Sequence, residues 1–441
     1  MTTTPAPDRA PTVPADLRRR LESDLRHRLR PMSGRNPHER GRSSTPVELL
    51  YDLTYVIAFG AAAEQLARQL GEGSTGPAIG AYLFAVFAIS WAWMNFTWFA
   101  SAYGNDDALF RTATIVQMIG VVVLTFGLPL SFSSAQHGGS PNNAVMVIGY
   151  VIMRVPLVGL WLRAARADPG RRRTALAYAA TIAVAQAGWV LSAVLPLPVP
   201  VTVAVLVALA LAEMTAPVVL ERALGRAPWN AGHIAERFSL LTLITLGEVV
   251  AATTGAVAAL VESHGWSAAA AAIAASGLVL AAALWWAYFL IPSRTMLEQH
   301  PGRTFLWRYA HLPMFGAVAA IGAGLRVAAA AVEEETYDLT LIAVALAVPV
   351  AAVVLMIFVT WSILMRSYDL SHVPLLLCAV LPLVAAVVVG STAGSVPSSE
   401  PTLLVVVIGL VALSAVVEVV GHEIVGYRHT VRAVEDQAAR S

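Results

Sequence analysis

The sequence predicts an all-α polytopic membrane protein of about twelve transmembrane helices, built as two six-helix pseudo-repeats with both termini cytoplasmic. Three observations carry that expectation. Of the 441 residues, 57% are apolar and only 13% charged, about half the ~25% charged share of a soluble domain. The apolar residues gather into runs long enough to cross a bilayer, which takes ~20 residues of helix. The arginines gather in alternate loops, as basic residues do on the cytoplasmic side of a membrane.

Taken in order, residues 1–45 form a basic cytoplasmic tail. It has no apolar h-region of the secretory kind, so the first span is expected to direct insertion. Within it, "ADLRRRLESDLRHRLR" spaces Leu17, Leu21, Leu25 and Leu29 four apart, the pattern of an amphipathic surface helix suited to anionic lipid headgroups. A solvated tail is the equal alternative. The twelve runs follow near 47–70, 77–100, 108–131, 141–164, 174–195, 198–221, 233–262, 266–291, 304–331, 338–366, 372–393 and 400–426, separated by Gly, Pro, Asn, Asp and Arg clusters. The Pro-rich link "LPLPVP" is the least clear break, because proline also sits inside kinked spans. Residues 428–441 complete the chain as a short cytoplasmic tail.

Orientation follows from arginine. The N-terminal tail, "RAARADPGRRR" (163–173), Arg222 and Arg226, Arg294 and Arg303, Arg366, and Arg428 with Arg432 fall on one side. The loops "GEGSTG", "SSAQHGGSP", "ESHG", "EEETYD" and "TAGSVPSSE" on the other side contain none. All 29 basic residues are Arg, which reads as coding bias and carries no function. The lone cysteine, Cys378, excludes an intramolecular disulfide or a cysteine metal site and is expected as a buried packing residue.

An internal duplication divides the spans into halves at 46–231 and 232–427. "ELLYDLTYVIAFG" from Glu48 laid on "ERFSLLTLITLGE" from Glu236 pairs Glu48 with Glu236, Leu53 with Leu241 and Thr54 with Thr242. "LFRTAT" resembles "LWRYAH", and "VALALAEMTAPVVLER" resembles the stretch from Glu418 to Arg428. Six spans per half give parallel repeats about an axis along the membrane normal.

Ionisable residues inside the spans are the functional candidates, since each costs ~2.5 to 3.5 kcal/mol at the bilayer centre. Glu48 lies at the cytoplasmic boundary and Asp52 ~6 Å deeper on the same helix face, where the two repel. Arg111, Arg237 and Arg308 enter the third, seventh and ninth spans at that depth. Glu48, Glu236, Arg111, Arg237 and Arg308 are therefore read as a structural ion-pair girdle, and Asp52 as a candidate for ion coupling. Glu248 lies past the midplane, ~18 Å along the helix from Glu236. Arg154, equally deep, is the natural counter-ion for Glu248, Glu213 or Glu418, and acids left over are free to take a proton.

Asn95, Gln117, Gln186, Thr242 and Thr245 are expected to bond between helices at ~0.6 kcal/mol each, with Asn95 also a candidate substrate contact. His311 is a candidate titrating group, weighed against a satisfied core histidine. The aromatic clusters "WAWMNFTWFASAY" and "WWAYF" read first as interfacial anchors, the former also as a wall suited to a cation. No H-E-x-x-H, paired Cys/His set, Ser/His/Asp spacing or phosphate-binding loop stands in the sequence. Metal sites, hydrolase chemistry, direct ATP drive, cofactors and nucleic-acid partners are thus not expected.

In their order, "ELLYDLTYVIAF", "WAWMNFTWFASAYGNDDALFR", "GYVIMRVPLVGLWLRAARADPGRRR", "AERFSLLTLITLGE" and "LWWAYF" resemble the bacterial low temperature requirement protein A (LtrA) family over about 46–426. The resemblance implies a membrane address and marks Glu48, Asp52, Asp106, Asp107, Arg111, Glu236, Arg237 and Glu248 as landmark positions. It carries no substrate. Leu290 stands where that pattern tends to place an acid. The leading functional expectation is a bacterial inner-membrane secondary transporter of a small solute, coupled to protons through Asp52 or Glu248. An ion channel, and a non-transport scaffold or lipid-related enzyme, are the alternatives; no nucleophile with its base supports the enzyme.

Overall fold

The computed structural model describes residues 14–18, 29–39, 41–333, 336–366, 372–397, 399 and 401–440, except the side chains of 372 and 436–440. Among these residues, twelve helices are long and apolar enough to cross a membrane. They are α1 (Pro46–Gly71), α2 (Thr75–Tyr103), α3 (Ala108–Gln136), α4 (Ala144–Ala167), α5 (Arg172–Val194), α6 (Val199–Leu224), α7 (Ala231–His264), α8 (Ala268–Phe289), α9 (Thr304–Val332), α10 (Leu339–Met365), α11 (His372–Ala393) and α12 (Thr402–Gly421). The Pro-rich link is a real break between α5 and α6. A short helix, Ser293–Gln299, follows α8. A π turn, His422–Gly426, and a helix, Tyr427–Arg440, continue α12 where a tail was expected. Of the expected amphipathic tail helix, Leu21 and Leu25 lie outside the described residues, while residues 15–18 are helical.

Local chemistry sets the helix starts. The Thr45 backbone N–H and hydroxyl both donate to Glu48 Oε2, at 2.8 and 2.9 Å, an N-terminal cap of the kind a Thr-x-x-Glu spacing provides. Asp107 caps α3 by accepting from the Phe110 N–H at 2.9 Å, and Asn230 caps α7 by accepting from His233 at 2.8 Å. Prolines stand inside six spans, at 129, 156, 217, 313, 349 and 382. Spans tolerate them because neighbouring helices and side chains satisfy the freed carbonyls.

The hub is α9, with 83% of its most apolar window buried; α6 is the most peripheral, at 17%. Helix α9 packs against α7, α10, α1 and α2. The neighbour order runs alike in the two halves: α1 with α2 and α3, then α3–α4, α4–α5 and α5–α6, against α7 with α8 and α9, then α9–α10, α10–α11 and α11–α12. Three relations differ: α2 packs on α3 and α10 on α12 where α8–α9 and α4–α6 make at most glancing contact, and the third concerns α8 and α12. Helix α8 packs closely on α12, whereas the backbones of α2 and α6 make at most glancing contact. At the arginine-poor end, strands β1 (Thr336–Asp338) and β2 (Ser395–Pro397) pair antiparallel, with Tyr337 opposite Val396.

The segment before α1 straps the other end. Arg42 Nη2 donates to the Ala100 carbonyl at 2.7 Å, and Arg35 donates to the carbonyls of Gly104 (from Nη1) and Ala102 (from its backbone N–H), each at 3.0 Å. These arginines add donors to the carbonyls at the C-terminal end of α2, where the helix supplies few of its own. Asn230 Nδ2 holds the strap from α7, donating to the carbonyls of Pro37 and Glu39 at 3.0 and 2.9 Å. Part of the arginine excess is thus spent on protein carbonyls. Cys378 corrects its expectation: it is exposed, because α11 turns only a narrow face to the bundle and Cys378 lies beside that face.

Two expected outcomes follow from this packing. A Cβ on Gly149 would stand 2.6 Å from the Gly120 carbonyl oxygen of α3, whereas one on Gly159 meets nothing within 4 Å. Gly149→Ala should therefore lower stability by about 2 kcal/mol through overpacking, and Gly159→Ala should raise it by about 0.5 to 1 kcal/mol, read by thermal unfolding in detergent. At the α2–α3 corner, burial pushes the Asp107 carboxyl up, but Arg163 and the backbone N–H groups of Phe110 and Arg30 more than offset this and bring it down to about 2. A carboxyl depressed in the folded state stabilises fully above its unfolded value of ~3.9 and loses that contribution as pH falls towards the folded one. Asp107→Asn should cost about 1.5 to 3 kcal/mol at pH 7, with the gap to wild type narrowing below pH 4.

Candidate functional site

Glu48 and Asp52, one turn apart on α1, share one guanidinium. Arg237 of α7 is fully buried and places Nη1 3.0 Å from Glu48 Oε1 and Nη2 2.5 Å from Asp52 Oδ1. The Trp93 indole of α2 donates to the same Asp52 oxygen at 2.6 Å, which leaves Oδ2 without a hydrogen bond. His233, one turn before Arg237, is fully buried with Nε2 3.5 Å from Glu48 Oε1. Two carboxylates face one buried guanidinium, and Arg42 of the strap adds a second buried positive charge close enough to act on Glu48 and His233, so the acids and arginines balance two against two.

Glu248 occupies a second position on the same seam. Its carboxylate reaches between α1 and α9, where a Cβ on Gly60 would stand 2.7 Å from Oε2 and one on Gly322 2.8 Å from the Glu248 Cγ. A Cβ at either position would crowd this side chain, at Gly322 against its stem and at Gly60 against its terminal oxygen. Its cation is Arg326 of α9, whose Nη2 pairs with Oε1. The two clusters lie along α7, with α1, α2 and α9 as walls.

Arg154 takes Glu213 as its partner, at 3.3 Å with both side chains buried, and Trp189 Nε1 donates to the other Glu213 oxygen at 3.0 Å. Glu418 stands 3.3 Å from Nδ1 of His422, one turn on. Of the girdle residues, Glu48 and Arg237 pair as expected. Glu236 turns to the strap, accepting from the Ser44 N–H at 2.9 Å, with Arg294 3.7 Å away. Arg111 pairs with Asp106 at 2.8 Å at the α2–α3 corner. Arg308 departs from the girdle: it has no carboxylate within 4 Å among the described residues. Instead its guanidinium lies 4.1 Å from the Trp98 ring centroid and 4.8 Å from those of Phe305 and Tyr309.

His311 is the satisfied core residue, with Nε2 3.0 Å from the Tyr288 hydroxyl and Nδ1 2.9 Å from the Trp307 carbonyl. Asn95, Gln117 and Thr245 donate to the carbonyl four residues back in their own helices, and Gln186 is buried without a hydrogen-bond partner. Other side chains bond across helices: Tyr82 to the Gly316 carbonyl and Tyr150 to the Ala88 carbonyl, each at 2.6 Å, and Gln69 to the Phe132 carbonyl at 2.8 Å. Trp91, Trp93 and Trp98 correct the anchoring expectation, since α2 runs through the interior and buries them. Trp285 and Trp286 on α8 stay exposed, as anchors do.

Sequence reasoning passed over Arg326, His233 and Glu221. Glu221 ends a cage in which Tyr178, Trp98 and Trp229 all donate to it, at 2.8, 3.1 and 3.1 Å. A depth count of every ionisable residue in the apolar runs would have flagged Arg326; Glu221 closes its run at the boundary, where depth carries no signal. Among the described residues no group of three or more His, Cys, Asp or Glu is arranged to hold a metal ion.

The model of the bacterial low temperature requirement A protein (LtrA) matches residues 43–413, taking in both charge clusters. The chain belongs to the LtrA family. No curated protein and no solved structure matches it. It is a multi-pass membrane protein of a bacterial family whose spans bury carboxylates at the α1–α7–α9 seam.

Removing one partner of a buried pair strands the other charge, at about 3 to 5 kcal/mol. Arg237→Met should accordingly unfold the detergent-solubilised LtrA protein well below wild type. Combining it with Glu48→Gln and Asp52→Asn should recover most of the loss in the same melting experiment.

Proposed function

We propose that this LtrA protein is a secondary transporter of a small solute in the bacterial cytoplasmic membrane, coupled to protons through the seam cluster. The observation that supports this most is the cluster of Glu48, Asp52, His233 and Arg237, four ionisable side chains buried where α1, α2 and α7 meet, with Arg42 beside Glu48. Ion pairs placed in an apolar interior seldom repay their desolvation, so buried pairs are weak evidence of a stabilising role. Intramembrane ionisable residues mark ion and proton pathways by default. Protonation at Asp52 or His233 would release part of Arg237's hold on α1, and Glu248 with Arg326 provides a second latch farther along α7.

The similar neighbour order of the halves supports a parallel duplication about an axis along the membrane normal. The arginine excess at the strapped end supports cytoplasmic termini and contact with anionic headgroups.

Reconstituted protein on a solid-supported membrane, challenged with amino acids, organic anions and organic cations in turn, tests the reading. One class should give solute-dependent transient currents that vary with pH between 5 and 8. Asp52→Asn and Glu248→Gln should flatten that pH response at least tenfold while keeping the native elution profile. Solute-independent steady currents would make the protein a channel, and unaltered pH dependence in both variants would remove the coupling role.

A further inference from the structure

The space between α2 and α6 is a chain of cavities. One of about 490 Å³ opens towards the arginine-poor end and is walled by Gly80, Phe84, Phe87, Val203 and Ala210, with the Ser131–Asn143 hydrogen bond at its side. Phe84, Phe87 and Asn143 also wall a second cavity of about 20 Å³ that reaches Tyr150 and Trp189. Farther along α2 come two of about 10 Å³, each room for about one water. They share Trp91, Asn95, Tyr178 and Pro217; one touches Glu213 and the other Arg308. Beyond Arg308 lies the Glu221 cage, where Arg226 stacks on Trp229 at 3.3 Å and borders a polar cavity of about 560 Å³ at the strapped end.

The wall residues are not scattered. On α2 they include Gly80, Phe84, Phe87, Trp91, Asn95 and Trp98, and on α6 Val203, Ala210, Glu213, Pro217 and Leu220. Steps of three, four or seven keep each set on a single helix face. The corresponding helices of the second half, α8 and α12, close directly on each other. The opening belongs to the first half alone.

The polar groups of the narrow middle indicate what fits. Glu213 is taken by Arg154 and Trp189, and Glu221 by its three donors. The buried groups left without partners are donors, Trp91 Nε1 and Arg308 Nε, in residues only 1% and 2% exposed, while half-buried Asn95 uses its Nδ2 on the Trp91 carbonyl. Buried donors without acceptors cost about 1 to 3 kcal/mol each, so an acceptor-bearing occupant is favoured there. Towards the arginine-poor end the walls are almost wholly apolar. We propose that the space between α2 and α6 binds and conducts a small organic anion with an apolar body, its anionic head received by Arg308 and Trp91 as the one-water cavities beside them widen, and its hydrocarbon part lying towards Phe84 and Phe87. Conduction rests on the transport reading; binding does not.

Hexanesulfonate and hexyltrimethylammonium, matched in chain length, are the probes, titrated against the full-length protein in lipid nanodiscs with thermal unfolding as readout. Hexanesulfonate should raise the melting temperature saturably and hexyltrimethylammonium should not. Arg308→Gln should weaken the apparent affinity at least tenfold, Trp91→Phe should weaken it measurably, Ala210→Trp should abolish it by filling the large cavity, and the surface variant Arg294→Gln should match wild type. Equal stabilisation by the two probes, or wild-type affinity in Arg308→Gln, would overturn the site. If Arg308→Gln fails to elute as folded protein, Trp91→Phe decides, since it removes the indole N–H and keeps an aromatic, though smaller, ring. Binding by these rules without hexanesulfonate uptake into proteoliposomes would leave the site and remove the transport reading. Proton-coupled currents that persist in Arg308→Gln and Ala210→Trp would leave transport and remove this route.

Discussion

A charge in hydrocarbon must be met from inside the protein, and Arg237 is where that requirement organises the fold. Its guanidinium bridges two acids of α1, Trp93 of α2 joins at Asp52, and the aromatic rings of Trp93 and Phe96 lie within about 6 Å of it. Three helices are thereby fixed in rotation about their axes, because a turn of either α1 or α7 would strand a charge. The hub helix α9 then packs against α7 and α1 on the same seam and brings Arg326 to Glu248.

Much of this was legible in the sequence, for a physical reason. Length and hydropathy determine where a chain crosses a membrane, and the twelve runs correspond to twelve helices with ends shifted by a few residues. Depth is equally legible: counting residues from the arginine-rich ends marked Asp52, Glu248, Arg154 and Arg237 as side chains in need of company. Which partner each one takes depends on lateral neighbours and helix rotation, and neither is written in a one-dimensional spacing. Arg154 had three candidate acids by depth, and only packing against α5 and α6 selected Glu213.

The aromatic residues mark the other limit. Trp and Tyr near a span's end are anchors when the helix faces lipid and cage walls when it faces protein; the sequence is the same in both cases. Helix α2 is interior, so its tryptophans turn inward onto Asp52, Glu221 and Arg308, while α8 shows Trp285 and Trp286 outward. Arg308 follows from the same difference. Placed among electron-rich rings, a guanidinium is held by their faces without needing a carboxylate in contact.

The small β1–β2 pairing bears on mechanics. It staples the α9–α10 corner to the α11–α12 corner, and the Thr340 hydroxyl adds a bond to the Gly390 carbonyl at 3.2 Å. Among the described residues no such staple joins the corresponding corners of the first half, where α6 leans mainly on α5. The last four helices therefore behave as a stiff frame, and compliance is concentrated in α6, the helix whose outward swing strains the fewest contacts.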